Sequence, residues 1–391
     1  MQFCLRTGFG ESKEFYGGSL IDLTFGFGQD NGAAPPAFLC LDSLIVNAYK
    51  RMSKCAKMTL VYTCRMFLLA AIMYVDDTDL LHLAPSQQTT DEELISQVEE
   101  SADAWGQLAQ ATGGALKQPK DFTYFMSYKF TGGKACLKWI KDFPTPQSLI
   151  GPDSTGESAP AYISIPQPDG SRVPIPTLEV DAPSNMLGVY FCPAGDGNTH
   201  VTSMTAKGES WLDRLQTKPL PTKYAWSSFF LQLYPGMSCG LPTVIMPPNK
   251  LEQEVQRLYY KCLPKLGVNR CITREWRMLS PSYLGLGMPN MAVNCLAGKI
   301  IFILSTWGFQ EVEGEMMRQA YEAFIVEVGL QGNALQRNFK MLGNLATKGT
   351  WFHNLWEFLF HSTGLVVRSH IYDHSNYKPP CVLTISCENT N

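Results

Sequence analysis

The 391 residues lack several signatures that would assign a function at once. The twelve cysteines form no Cys-x-x-Cys pair and no dense framework, which leaves out a disulfide scaffold and fits buried reduced thiols inside a cell. The apolar run at residues 66–75 is too short to span a bilayer. The first residues, Met1-Gln2-Phe3-Cys4-Leu5-Arg6, show no basic segment followed by an apolar stretch, so no signal peptide is expected. No Gly-x-Ser-x-Gly elbow is present, and a Ser- or Cys-nucleophile enzyme is unsupported. There is no internal repeat. Net positive charge is also missing: the balance is −3, unlike a simple nucleic-acid binder. What is there is globular composition, 45% hydrophobic and 17% charged, in a chain long enough for two or more domains.

Charge is unevenly placed. Residues 76–110 hold nine acids and no Lys or Arg, whereas residues 211–280 hold ten Lys or Arg and four acids, a local charge of +6. An acidic, metal-holding segment followed by a basic one fits a protein that grips phosphates. Ordinary solvated surface fits the counts as well.

The most informative local feature is Tyr74-Val75-Asp76-Asp77, at the end of an apolar run and just before Leu80-Leu81-His82-Leu83. Carboxylates beside an apolar core cost roughly several kcal/mol unless paired or metal-bound. Apolar strand, Asp-Asp turn and apolar strand predict a β-hairpin with carboxylates at its tip, suited to a divalent metal that bridges phosphates. A plain turn accounts for the same four residues, since Asp is common in turns. Upstream, Phe25-Gly26-Phe27-Gly28-Gln29-Asp30-Asn31-Gly32-Ala33-Ala34-Pro35-Pro36 predicts a Gly-rich loop opening a helix over residues 36–52.

Glycine-rich loop, helix and Asp-Asp hairpin, in that order, resemble reverse transcriptases, whose second palm motif is Gln-Gly-x-x-x-x-Pro and whose third is Tyr-x-Asp-Asp. The resemblance continues downstream. The segment from Trp105 to Leu116-Lys117-Gln118-Pro119-Lys120 looks like the fourth palm motif. Met186-Leu187-Gly188-Val189-Tyr190-Phe191 resembles the Leu-Gly hairpin at the palm–thumb junction. Leu266-Gly267-Val268-Asn269-Arg270, Trp276-Arg277 and Tyr283-Leu284-Gly285-Leu286-Gly287-Met288 are similar to the region after the palm. The match covers about residues 1–310.

The resemblance implies an α+β fold: a partial palm, an antiparallel sheet with helices on one face, then a mostly helical thumb-like region. Its divisions are 1–142 (palm), 143–183 (Pro/Gly-rich insertion or linker), 184–210 (palm–thumb hairpin region), 211–345 (helical thumb-like region) and 346–391 (tail). It implies RNA-directed DNA synthesis by two-metal nucleotidyl transfer, with Mg2+ or Mn2+ as cofactor and RNA template, DNA primer and dNTPs as partners, without a membrane, in the nucleus or cytoplasm. Asp76 would ligate metal with Asp77 beside it, Tyr74 would sit near the primer end, and Gln29 to Gly32 would lie against the templating base and incoming nucleotide. Lys120 would neutralise or protonate the departing pyrophosphate.

Two departures bear on activity. Asp30 stands where the family has Gly, and its carboxylate would repel a triphosphate. The first palm motif, which supplies the other metal-binding Asp, is unmatched: only 28 residues precede Gln29, and their one Asp, Asp22, is too close to the loop. The chain alone is therefore expected to show little or no polymerase activity, and a non-catalytic retroelement remnant that at most binds nucleic acid is the alternative. In the tail, His370, His374, Cys381 and Cys387 are a candidate zinc set in a non-standard spacing, with an ordinary tail as the other reading.

The remaining expectations are local. Thr90-Asp91-Glu92-Glu93 predicts a helix start, and Leu94, Ile95, Val98, Ala102, Trp105 and Ala109 recur at helical spacing, with Gly113-Gly114 as its stop. That helix should pack beneath the hairpin, with Trp105 in the core. Residues 163–180 predict a hairpin around Pro168-Asp169-Gly170-Ser171, and residues 251–263 and 316–328 predict helices.

Overall fold

A computed structural model describes residues 6–7, 10–11, 34–61, 63–74, 77–86, 88–112, 121–144, 150–152, 158–167, 170–218, 220–329, 334–361, 365–369 and 383–387. The fold is mixed α and β, with small, mostly antiparallel sheets and a helical C-terminal region. It divides into two units, residues 1–58 with 68–179, and residues 59–67 with 180–391.

The first unit begins with the short strands β1 (Arg6–Thr7) and β2 (Gly10–Glu11), followed by helix α1 (Ala34–Met52). Pro35 and Pro36 lie in the first turn of α1, where a missing N–H goes unmissed. Strands β3 (Ala56–Thr59) and β4 (Met66–Leu69) lie where the chain passes from one unit to the other, and β5 (Ala71–Tyr74) pairs with β6 (Asp77–Leu80). Helix α2 (Asp91–Ala111) follows. Its start is a capping box: the Glu93 N–H donates to Thr90 Oγ1 at 3.2 Å, and the Thr90 N–H donates to Glu93 Oε2 at 3.1 Å. Asp91, Glu92 and Glu93 oppose the positive end of the helix dipole.

Two apolar stripes run along α2. Ala104, Trp105 and Leu108 meet Ile45, Val46 and Tyr49 of α1 and Ala70, Met73 and Leu80 around the β5–β6 pair. Trp105 stands edge-on to the fully buried Tyr49, ring centroids 5.3 Å apart. The other stripe, Ile95, Val98 and Ala102, covers Phe125, Phe143, Tyr162, Ile163, Ile165 and Ile175. That second core lies on a four-stranded sheet in the order β10 (Ile150–Pro152), β11 (Ser158–Pro166), β12 (Arg172–Leu178), β7 (Thr123–Tyr124). Only β12–β7 is parallel. A separate hairpin joins β8 (Tyr128–Thr131) to β9 (Lys134–Leu137).

Among the described residues the strands form several small sheets, of which the β5–β6 pair is one. The β11–β12 hairpin turns around residues 167–171 as expected. This hairpin, in the segment read as an insertion or linker, supplies the floor on which α2 packs.

The second unit opens with the hairpin β13 (Ser184–Met186) and β14 (Val189–Phe191). Its core is built from α3 (Asn198–Thr217), α6 (Pro248–Cys262), α8 (Met291–Trp307), α9 (Val312–Val328) and α11 (Trp351–His361). Helices α4 (Thr222–Ser228) and α5 (Tyr234–Ser238) are joined by a π-turn at Phe229–Leu233. Pro235, which has no N–H to give, sits just after it, and the helix widens rather than breaks. Shorter helices α7 (Arg274–Met278) and α10 (Phe339–Leu342) and the strands β15 (Leu365–Ser369) and β16 (Leu383–Cys387) complete the unit. Residues 351–361, read above as tail, are core: Leu355, Trp356 and Phe358 are buried.

The non-helical segment 241–246 crosses this core, and its carbonyls must find donors. Four buried or half-buried side chains supply them. Cys295 Sγ reaches Leu241 O at 3.1 Å, and Trp351 Nε1 reaches Pro242 O at 2.8 Å. Lys299 Nζ donates to Pro242 O at 3.1 Å and Val244 O at 2.8 Å, and Asn354 Nδ2 donates to Met246 O at 2.8 Å. Gly298 keeps α8 close, since a Cβ there would lie 2.5 Å from Pro242 Cγ. Among the described residues no single helix is long and apolar enough to cross a membrane.

Candidate active site at the Asp-Asp hairpin

The β5–β6 register sets Tyr74 opposite Asp77, Met73 opposite Thr78 and Ile72 opposite Asp79. Val75 and Asp76, which connect the strands, lie outside the described residues, as do Gln29, Gly32 and Lys120. Of the expected carboxylates, then, the structure places Asp77, which is exposed at the start of β6.

Sequence reasoning passed over Asp79. Strand alternation puts Asp77 and Asp79 on one face, a signal readable from the period of two. Burial, then the neighbouring Asp77 charge, raise the Asp79 carboxyl above its ordinary value. Two residues beyond β6, neither ring nitrogen of His82 has a hydrogen-bond partner among the described residues, and burial, with Lys54, pushes its pKa down. Asp121, next in sequence to Lys120, has a buried Oδ2 without a partner among the described residues, and burial pushes the carboxyl up to about 6.

The acidic stretch resolves differently from its charge count. Arg172 grips Asp103 with two bonds of 2.8 and 2.9 Å and reaches Glu99 at 3.0 Å. Lys138 meets Asp91 at 2.5 Å. Three of the nine acids are thus paired with cations, Glu99 and Asp103 with Arg172 of β12 and Asp91 with Lys138 next to β9. Among the described residues no three His, Cys, Asp or Glu side chains come together as a metal-binding group. His370, His374 and Cys381 fall outside the described residues, and Cys387 is placed only by its strand.

In the second unit, the β13–β14 turn is made by Leu187 and Gly188, both at positive φ (52° and 81°), the pairing of a tight hairpin turn. His200 of α3, buried, anchors it: the Tyr190 N–H donates to His200 Nδ1 at 3.3 Å. Burial, then Lys207, lower the His200 pKa and keep Nδ1 free to accept. Gly240 is needed beside this ring, for a Cβ there would sit 2.6 Å from His200 Cε1. His200 too was missed in the sequence, where a lone His on a helix carries no signal. Comparison of the chain with protein-family models, curated proteins and solved structures gives no match.

Proposed function

We propose that the chain is a retroelement reverse-transcriptase segment, a palm followed by a helical thumb-like region, that holds an RNA template and a DNA primer. One observation carries the reading: an antiparallel hairpin with Tyr74 opposite Asp77 lies between α1 and α2, and both helices pack on it through Tyr49, Trp105 and Leu108. The Leu187-Gly188 hairpin, followed by a helical unit, supports it in the expected order.

Asp76 and Asp77 are the proposed holders of Mg2+ or Mn2+, with hard oxygen donors suited to either ion. Tyr74 would face the primer end, Gln29 and Gly32 the incoming dNTP, and Lys120 the pyrophosphate. The family's other metal-binding Asp, that of the first palm motif, has no match among these residues, and a two-metal site needs carboxylates from both motifs. Polymerase activity of the 391 residues alone is accordingly not expected.

The test is binding of the purified chain to an RNA–DNA primer–template across a salt series. Affinity that falls steeply with salt supports the reading, because counterions are released as cationic side chains meet phosphates. No affinity for the hybrid at low salt overturns it. Primer extension by the chain, abolished by Asp76→Ala, overturns the expected inactivity.

A further inference from the structure

We infer that α6, α7 and the loop 279–287 of the second unit form a stacking platform for the unpaired bases of single-stranded nucleic acid. The inference rests on the proposed function only for the class of ligand.

The loop is held rigidly. The Leu286 N–H donates to Trp276 O at 3.0 Å, Gly287 to Leu279 O at 2.9 Å, Met288 to Arg277 O at 2.7 Å and Gly285 to Ser280 O at 3.1 Å. Gly285 is obligatory, since a Cβ would lie 2.0 Å from Leu279 O, and Gly287 has φ +64°. Between Ser280 and these glycines the loop presents Tyr283, 71% exposed, and Leu284, 85% exposed. Leu284 has φ +63°, a conformation that glycine adopts freely and leucine does not. A strained leucine that buries almost nothing in its own protein is placed for something outside it.

The elements tied to this loop carry further exposed rings. Trp276 on α7 and Tyr260 on α6 are about half exposed. The buried Arg277 guanidinium lies 4.6 Å from the Tyr260 ring centroid, so a cation backs that ring from inside. Residues 257–288 carry six Lys or Arg against one acid, Glu275. Arg257, Lys261 and Arg274 are paired with Glu254, Glu209 and Glu252. Lys265 and Arg270 form no ion pair among the described residues and are exposed. Exposed rings that alternate along the sequence with cations match a single strand, which offers both base faces and phosphates. A duplex hides its base faces and offers mainly phosphate and groove edges.

The test measures binding of a labelled oligouridine and of the RNA–DNA hybrid, with melting temperature recorded for each protein. Trp276→Ala and Tyr283→Ala are each expected to weaken oligouridine binding roughly 5- to 100-fold. Leu284→Gly, which relieves the backbone, should keep its melting temperature and still lose affinity. Lys265→Gln and Arg270→Gln should each lower the salt slope for the single strand by about 0.7. Oligouridine binding unchanged in all three platform variants overturns the inference, and hybrid binding then leaves the proposed function standing. Oligouridine binding lost in the variants, with no hybrid binding in the wild type, upholds the platform and overturns the proposed function. A concentration-dependent dimer that Leu284→Gly dissolves, without oligouridine binding, assigns the surface to a second copy and overturns the inference.

Discussion

Lys299 shows what one buried charge costs and why it is kept. It is fully buried, no carboxylate among the described residues is its partner, and its ammonium lies 4.8 Å from the Trp351 ring centroid while donating to two carbonyls. Burial pulls its pKa from 10.5 down to about 8. Between those values the unfolded chain holds a proton that the folded chain has lost, so this group makes stability rise with pH. Cys295 and Cys262, pushed up by burial to about 11 and about 12, act oppositely above pH 9, because the unfolded chain ionises first. Lys299→Met separates the terms. Between pH 7 and 10 the wild type should gain up to about 3 kcal/mol relative to the variant in urea-unfolding free energy. Parallel pH curves for the two proteins would show that the amine is charged throughout.

At the scale of the element, α2 shows how much was legible. Its start was written in Thr90 and Glu93, and the structure holds the full capping box there. Thr90→Ala should lower stability by about 1 kcal/mol, read as a shift in the denaturant midpoint at unchanged slope. A null effect would mean that packing alone sets the helix start. Its partners were not legible. Arg172 lies 69 residues from Asp103, and no local pattern links them, so the acids looked like one metal-holding block. The β11–β12 hairpin was found, but Pro160, Pro166, Pro174 and Pro176 mark strands that usually stay at sheet edges, and the segment looked like an insertion or linker. The opposite failure befell residues 351–361. Phe352, Leu355, Trp356 and Leu359 recur at helical spacing, and only the boundary drawn at 346 hid them. Of the site, the hairpin and its helices could be read, because alternation and caps are local. His200 and Asp121 gain meaning from burial, which one sequence does not display.

The whole molecule is two sets of cores. The cores of the first unit gather around α2, through Trp105 on one side and Ile163, Ile165 and Ile175 on the other, and the core of the second gathers around α8, α9 and α11. Among the described residues each core is drawn from side chains of its own unit, so each truncation acts first on its own unit. Trp105→Ala removes the partner of Tyr49, and Trp356→Ala, at 1% exposure, opens a hole against Phe324 and Phe339. Each should cost about 3–5 kcal/mol within its own unit. Calorimetry of the wild-type chain should accordingly resolve two transitions, with Trp105→Ala lowering one and Trp356→Ala the other. If each variant lowers every transition equally, the units unfold as one cooperative block. The same pair of variants then bears on nucleic-acid binding: Trp356→Ala, near its own lowered transition, should lose oligouridine affinity on warming while Trp105→Ala keeps it, since the platform of Tyr260, Trp276, Tyr283 and Leu284 stands on the second core alone.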